Sequence, residues 1–189
     1  MYPTNLSSRY TDLYFTTSTV KDWKPLLRPD KYKKIITDSF AFLVQERTVW
    51  LYAFVIMPNH FHWVWQLRGE QSLPLVQLRL LKFVAQQIKF DLTVHHPAVL
   101  ERFSVQRKDR RYQFFKERPL SIPLFTDSVV WQKIRYTHEN PTQPRWQLSA
   151  QPEDYTWSSA AFYTRGDLSW PFLTHFWYGE DWPSLNLGR

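Results

Sequence analysis

The sequence has no cysteine, so neither a disulfide nor a thiolate metal site can form, and any metal must be held by histidine, carboxylate or amide groups. That absence suits a reducing cytoplasm. No run approaches the eighteen or so apolar residues of a membrane span, and Met1 to Arg9 lacks the apolar centre of a signal peptide. A soluble, cytoplasmic protein without a membrane partner is therefore expected. Internal repeats and low-complexity tracts are also missing. Apolar material is ample, at 43% of 189 residues with 18% aromatics and 10 tryptophans. That is enough for one well-packed domain, whereas two would each be small for an independent core.

Acids are in deficit, 17 against 24 lysines and arginines, giving a net charge of +7 and a pI near 9.6. This favours a polyanionic partner, nucleic acid first, although charge alone fits a protein that is merely kept soluble.

The β-formers of Tyr10 to Ser18 read as a first strand. Tyr32, Ile35, Ile36, Phe40 and Leu43 recur at helical spacing across Asp30 to Val44. Val49 to Met57 and His60 to Leu67, broken by Pro58-Asn59, read as antiparallel strands about a tight turn. A second helix starts near Ser72, with Leu75, Leu78, Leu81, Ala85 and Ile88 on one stripe. Glu101 to Arg118 is a basic connection that holds a short strand at Tyr112 to Phe115. A third helix opens at Thr126 as N-cap and runs to about Asn140, where Pro141 stops it. One more short helix is expected at Trp157 to Tyr163. The order predicts an α+β single domain, an antiparallel sheet with helices packed mainly on one face.

Two segments carry chemistry. In a strand, His60 and His62 share a face at roughly 7 Å between Cα atoms, while Phe61, Trp63 and Trp65 take the other. Such a pair can hold one divalent metal, and the spacing alone equally allows two hydrogen-bonded imidazoles. On the third helix Tyr136 and Asn140 stand at i and i+4, beside an apolar stripe of Val130 and Ile134. They present a phenol and an amide oxygen together, or a tyrosine packed at the edge of the core. Asn140 precedes a proline and falls at the helix end.

Taken in order, Met57-Pro58-Asn59-His60-Phe61-His62, then Tyr136-Thr137-His138-Glu139-Asn140-Pro141, then Pro152-Glu153-Asp154-Tyr155-Thr156-Trp157-Ser158-Ser159-Ala160 resemble the repeat-associated tyrosine transposases of the IS200/IS605-like superfamily. The resemblance spans about Tyr10 to Arg165. It implies a ferredoxin-like transposase domain over residues 1–166, followed by a Trp- and Pro-rich tail over 167–189. It further implies a histidine-hydrophobic-histidine nuclease in which His60, His62 and Asn140 bind Mg²⁺ or Mn²⁺. Tyr136 would attack single-stranded hairpin or palindromic DNA, forming a 5′-phosphotyrosine and releasing a 3′ hydroxyl, as monomer or homodimer. Arg107, Lys108, Arg110, Arg111, Arg135 and His138 are the expected DNA contacts.

The chain departs from the family after Asn-Pro. Relatives continue Val-Arg-Ala-Gly-Leu-Val, whereas here Thr142-Gln143-Pro144-Arg145-Trp146-Gln147-Leu148 has no glycine. That departure keeps open a DNA-binding module without the chemistry. A phosphodiesterase that uses water in place of tyrosine is a further alternative. The tail, with Trp170, Trp177 and Trp182, reads as either a stacking surface or a wrapped apolar segment.

Overall fold

The computed structural model describes residues 9–177. Its elements, in chain order, are β1 (Leu13–Thr19), α1 (Asp30–Gln45), β2 (Val49–Met57), β3 (His60–Leu67), α2 (Leu73–His95), α3 (Pro97–Glu101), β4 (Leu120–Pro123), α4 (Asp127–Glu139) and α5 (Ala160–Arg165). The four strands form one antiparallel sheet in the order β2-β3-β1-β4, the split arrangement of a ferredoxin-like β-α-β-β-α-β unit. β3 and β1 are interior, and every residue of β3 is buried.

Period-two alternation divides the sheet into two faces. Phe61, Trp63 and Trp65 join Ile36 and Phe40 of α1 and Val76, Leu80, Val84 and Ile88 of α2 in the larger core. Leu13, Phe15 and Val64 project from the other face and pack with Val130 and Ile134 of α4. The two longest helices thus cover one side, and α4 lies across the other.

Two expectations need correcting. The buried stripe of α2 is Val76, Gln77, Leu80, Val84, Ile88 and Leu92, whereas Leu75 and Leu78 are exposed. The leucine-rich sequence supports either phase. Gln77 fixes the rotation by donating through Nε2 to Ser121 Oγ at 2.6 Å. Tyr112 to Phe115 is not a strand; Tyr112 and Phe115 make isolated bridges to Ser104 and Val20 while Phe114 and Phe115 are buried. The fourth strand is instead Leu120–Pro123, paired to Tyr14 through Thr17, with Pro123 tolerated because β4 is an edge.

Residues 167–177, expected as part of the tail, fold back on β2. Leu173 bridges Leu51, Thr174 N–H donates to Leu51 O at 2.9 Å, and Phe176 enters the core against Tyr52. Trp182 lies outside the described residues. No helix among the described residues is long and apolar enough to cross a membrane.

Candidate active site

Because β3 alternates, His60 and His62 face α4 together, their ring centroids 4.7 Å apart. Both are buried, 2% and 4% exposed. Hydrogen bonds set their orientation. Asn59 Nδ2 donates to Trp23 O at 3.0 Å, so Asn59 Oδ1 is the atom that meets His60 Nδ1 at 2.7 Å. A carbonyl oxygen only accepts, hence His60 Nδ1 carries the proton and Nε2 keeps its lone pair. His62 Nδ1 meets Thr17 Oγ1 at 2.8 Å, and with Nδ1 donating, Nε2 has a free lone pair as well. Burial, then the charge of Arg145, push His60 down to about 4, opposed by the nearby Asn140 side chain. Burial first, then His60, Arg145 and Lys133, hold His62 well below its ordinary value. Both rings are neutral at pH 7, the state in which imidazole binds metal.

Helix α4 supplies the rest. Thr126 Oγ1 accepts from Val129 N–H and starts the helix, while Val130 and Ile134 seat it on the sheet. That seat aims Tyr136 at the histidines. Its ring lies 5.3 Å from that of His62 and 5.8 Å from that of Phe15, and the residue stays 45% exposed. Lys133, one turn earlier, places Nζ 5.8 Å from the Tyr136 ring. Asn140 caps the helix in α geometry despite the following proline and is buried.

The chemistry of the unsatisfied atoms is informative. His62 Nε2 and Asn140 Oδ1 are both buried with no hydrogen-bond partner. Asn140 Oδ1 is a lone-pair donor, and so is His62 Nε2 in the tautomer whose Nδ1 donates to Thr17 Oγ1; burying either without a partner is costly. Two orphaned acceptors beside neutral His60 fit a hard or borderline cation held by nitrogen and oxygen. No group of three or more His, Asp or Glu residues that would hold a metal is found among the described residues, so the ligand set offered here is two imidazoles and an amide.

The other expected residues divide. Arg135 is exposed on α4. His138 does not reach the surface; it is buried, pushed down to about 3 by burial, and its Nε2 meets Ser159 Oγ at 2.8 Å. It continues the Val130–Ile134 stripe by one turn, a signal present in the spacing. Arg107 pairs with Glu117, Arg110 with Asp109 and Arg111 with Glu101. No contact joins them or Lys108 to the histidine pair. Residues not singled out from sequence surround it instead: Thr17, Asn59, Lys133, Trp23 and Trp146, the last 5.7 Å from the His60 ring beneath the Arg145 guanidinium. Arg145 and Trp146 lie in the segment that departs from the family. Its turn is closed by Leu148 N–H on Pro141 O, with Gln147 rather than a glycine at φ 46°.

No family model and no curated protein matches the sequence. Among solved structures, a REP-associated tyrosine transposase bound to a REP hairpin superposes with a TM-score of 0.56 at 13% identity, over 80% of this chain and 78% of that one. A candidate transposase from Deinococcus radiodurans aligns at 12% identity over 66% and 86% of the two chains, with a TM-score of 0.44, too loose a match to bear on the fold. The chain therefore shares the fold of a REP-associated tyrosine transposase.

Proposed function

We propose that this protein is a metal-dependent DNA endonuclease and strand transferase acting on single-stranded hairpin or palindromic DNA. The observation that carries the reading is the pair of orphaned buried acceptors, His62 Nε2 and Asn140 Oδ1, beside a half-exposed tyrosine whose ring rests on His62. The hairpin in the structural neighbour supports the same class of partner.

His60, His62 and Asn140 would hold Mg²⁺ or Mn²⁺. When bound, such a cation supplies Lewis acidity toward a phosphate oxygen. The chain's own residues do the remainder. Thr17 and Asn59 lock the imidazoles, and α4 delivers the phenol. Tyr136 Oη forms a bond to phosphorus as the bond to the 3′ oxygen breaks. The phenolic proton passes to solvent and the departing 3′ oxygen takes one up, leaving a 5′-phosphotyrosine and a 3′ hydroxyl. Lys133 is placed to offset negative charge on the phenolic oxygen and phosphorane. The ester keeps the phosphodiester's energy for rejoining.

The other tyrosines that could be asked to attack are engaged elsewhere: Tyr155 Oη donates to Ile56 O and Tyr112 Oη to Glu101. Tyr136→Phe removes one exposed oxygen and keeps the ring, so folding stability should change by no more than about 0.5 kcal/mol. Labelled hairpin DNA incubated with Mn²⁺ and run on a denaturing gel should show a covalent adduct with the parent protein and none with the variant. Adduct from Tyr136→Phe would identify another nucleophile. Cleavage without adduct would show water attacking, and binding without cleavage by the parent would reduce the protein to a DNA-binding module.

A further inference from the structure

We propose that Trp23 is a stacking platform for one unpaired nucleobase of single-stranded DNA, next to the phosphate presented to His60 and His62. The inference rests on the DNA reading above and names the part of the strand that this corner of the site takes.

Trp23 is 52% exposed, yet it is held firmly. Asp22 and Trp23 occupy consecutive left-handed conformations, at φ 56° and 55°, which is rare for any residue with a Cβ and more so for a bulky one. The surroundings enforce it. Trp23 N–H donates to Val20 O at 3.1 Å, and Asn59 Nδ2 donates to Trp23 O at 3.0 Å. The Asp22 carboxylate receives Lys21 Nζ at 2.7 Å and Lys24 Nζ at 2.9 Å. Strain of this kind persists where the neighbouring structure over-determines it, and it gathers at functional sites.

What the strain achieves is placement. The same Asn59 that fixes the Trp23 carbonyl also fixes His60 Nδ1, so indole and imidazole are positioned by one side chain, their rings steeply inclined with centroids 6.0 Å apart. Lys116 Nζ lies over one face of the indole, 4.7 Å from its centroid, and has no ion-pair partner among the described residues. Its backbone N–H donates to Thr19 O, and Thr19 is the register partner of His60. An exposed aromatic ring with a cation over one face, one side chain from the proposed phosphate site, is an arrangement that takes a base on the face the ammonium does not cover, or on the covered face once the ammonium swings to the base's phosphate. Duplex DNA offers no base face here, so the ligand is an unstacked one. Trp146, the other indole against His60, has its ring nitrogen buried and sits inside the closed 141–148 turn. It makes a wall rather than a platform.

The test uses the full chain in the Tyr136→Phe background, so that no strand is cut, and fluorescence anisotropy with a hairpin carrying a single-stranded flank. A set of such hairpins carries one abasic residue at each flank position in turn. Trp23→Ala should weaken binding about tenfold, and one abasic position should weaken the parent similarly, with no further loss when the two are combined. Trp23→Phe should retain most of the affinity. Trp23→Gly suits the positive φ, so it should bind like Trp23→Ala while melting at or above the parent temperature; a merely structural tryptophan would lower it. Unchanged affinity in Trp23→Ala, or losses that add at every abasic position, would overturn the platform and leave the DNA reading standing. Failure of the Tyr136→Phe protein to bind any hairpin would overturn both.

Discussion

At the residue scale, the candidate site is short of negative charge. Two neutral imidazoles and an amide contribute none, and Lys133 and Arg145 add positive potential that already depresses His62. A divalent cation in such a site depends on the anionic phosphate for much of its attraction. The affinity for Mn²⁺ should therefore rise at least tenfold when hairpin DNA is present, and by linkage Mn²⁺ should tighten DNA by the same factor. Electron paramagnetic resonance of free Mn²⁺, titrated with protein alone and with the complex, measures the first half; equal affinities would mean that the site binds metal without help from phosphate. That His60 and His62 share a face was legible because a strand's alternation needs only counting. His138, expected as a DNA contact, is buried, because 130, 134 and 138 are one helical stripe and the stripe faces inward. Asn59, Thr17 and Trp23 meet at the histidines in a geometry that only the folded chain creates, since they converge from three separate segments.

At the element scale, α4 is what brings phenol to imidazole, and Val130 and Ile134 are what bring α4 to the sheet. Ile134→Ala removes a side chain only 2% exposed and should cost about 2–5 kcal/mol. It should also lower the rate of adduct formation at temperatures where the protein remains folded, because the tyrosine loses its seat. Calorimetry and the adduct gel together check this; a parental melting temperature would show that the helix is anchored elsewhere. The strands β2 and β3 were legible to the residue because the first is a continuous apolar and aromatic run, the second alternates histidine with aromatic residues, and Pro58-Asn59 marks the turn between them. β4 was not. Four residues ending in proline give too little pattern, and the aromatic Tyr112 to Phe115 competed for the role although its phenylalanines are needed in the core. The phase of α2 was ambiguous for a related reason: where leucine is abundant on both sides, one buried glutamine decides.

On the scale of the whole molecule, the net charge of +7 is unevenly available. In the 102–118 connection Arg107, Arg110 and Arg111 are each met by an acid, and a phosphate must displace a carboxylate to use them. Lys133, Arg135 and Arg145, near Tyr136 or the histidines, have no ion-pair partner among the described residues. Replacing Lys133 and Arg145 by glutamine should reduce the log-log salt slope of hairpin binding by about 1.5, at roughly 0.7 to 0.9 for each lost phosphate contact. Replacing Arg107, Lys108, Arg110 and Arg111 together should reduce it by about 1 or less. A larger drop in the fourfold variant would place the DNA path on the connection. Composition favours a polyanionic partner but cannot say which cations are spoken for, because ion pairing depends on which acids the fold brings near.

The position of β3 has a consequence in time as well as space. It lies between β2 and β1, with both edges hydrogen-bonded and all eight residues buried. Its amides should exchange with deuterated solvent only when the whole domain opens, whereas α4 hangs on one face by a single stripe and should exchange through smaller openings. Equal protection in the two elements, read by mass spectrometry of the fragments, would refute this. The two halves of the site then run on different clocks. On that expectation the imidazoles would stand still as long as the protein is folded, and in the proposed cycle of cutting and rejoining the tyrosine would be the part free to travel.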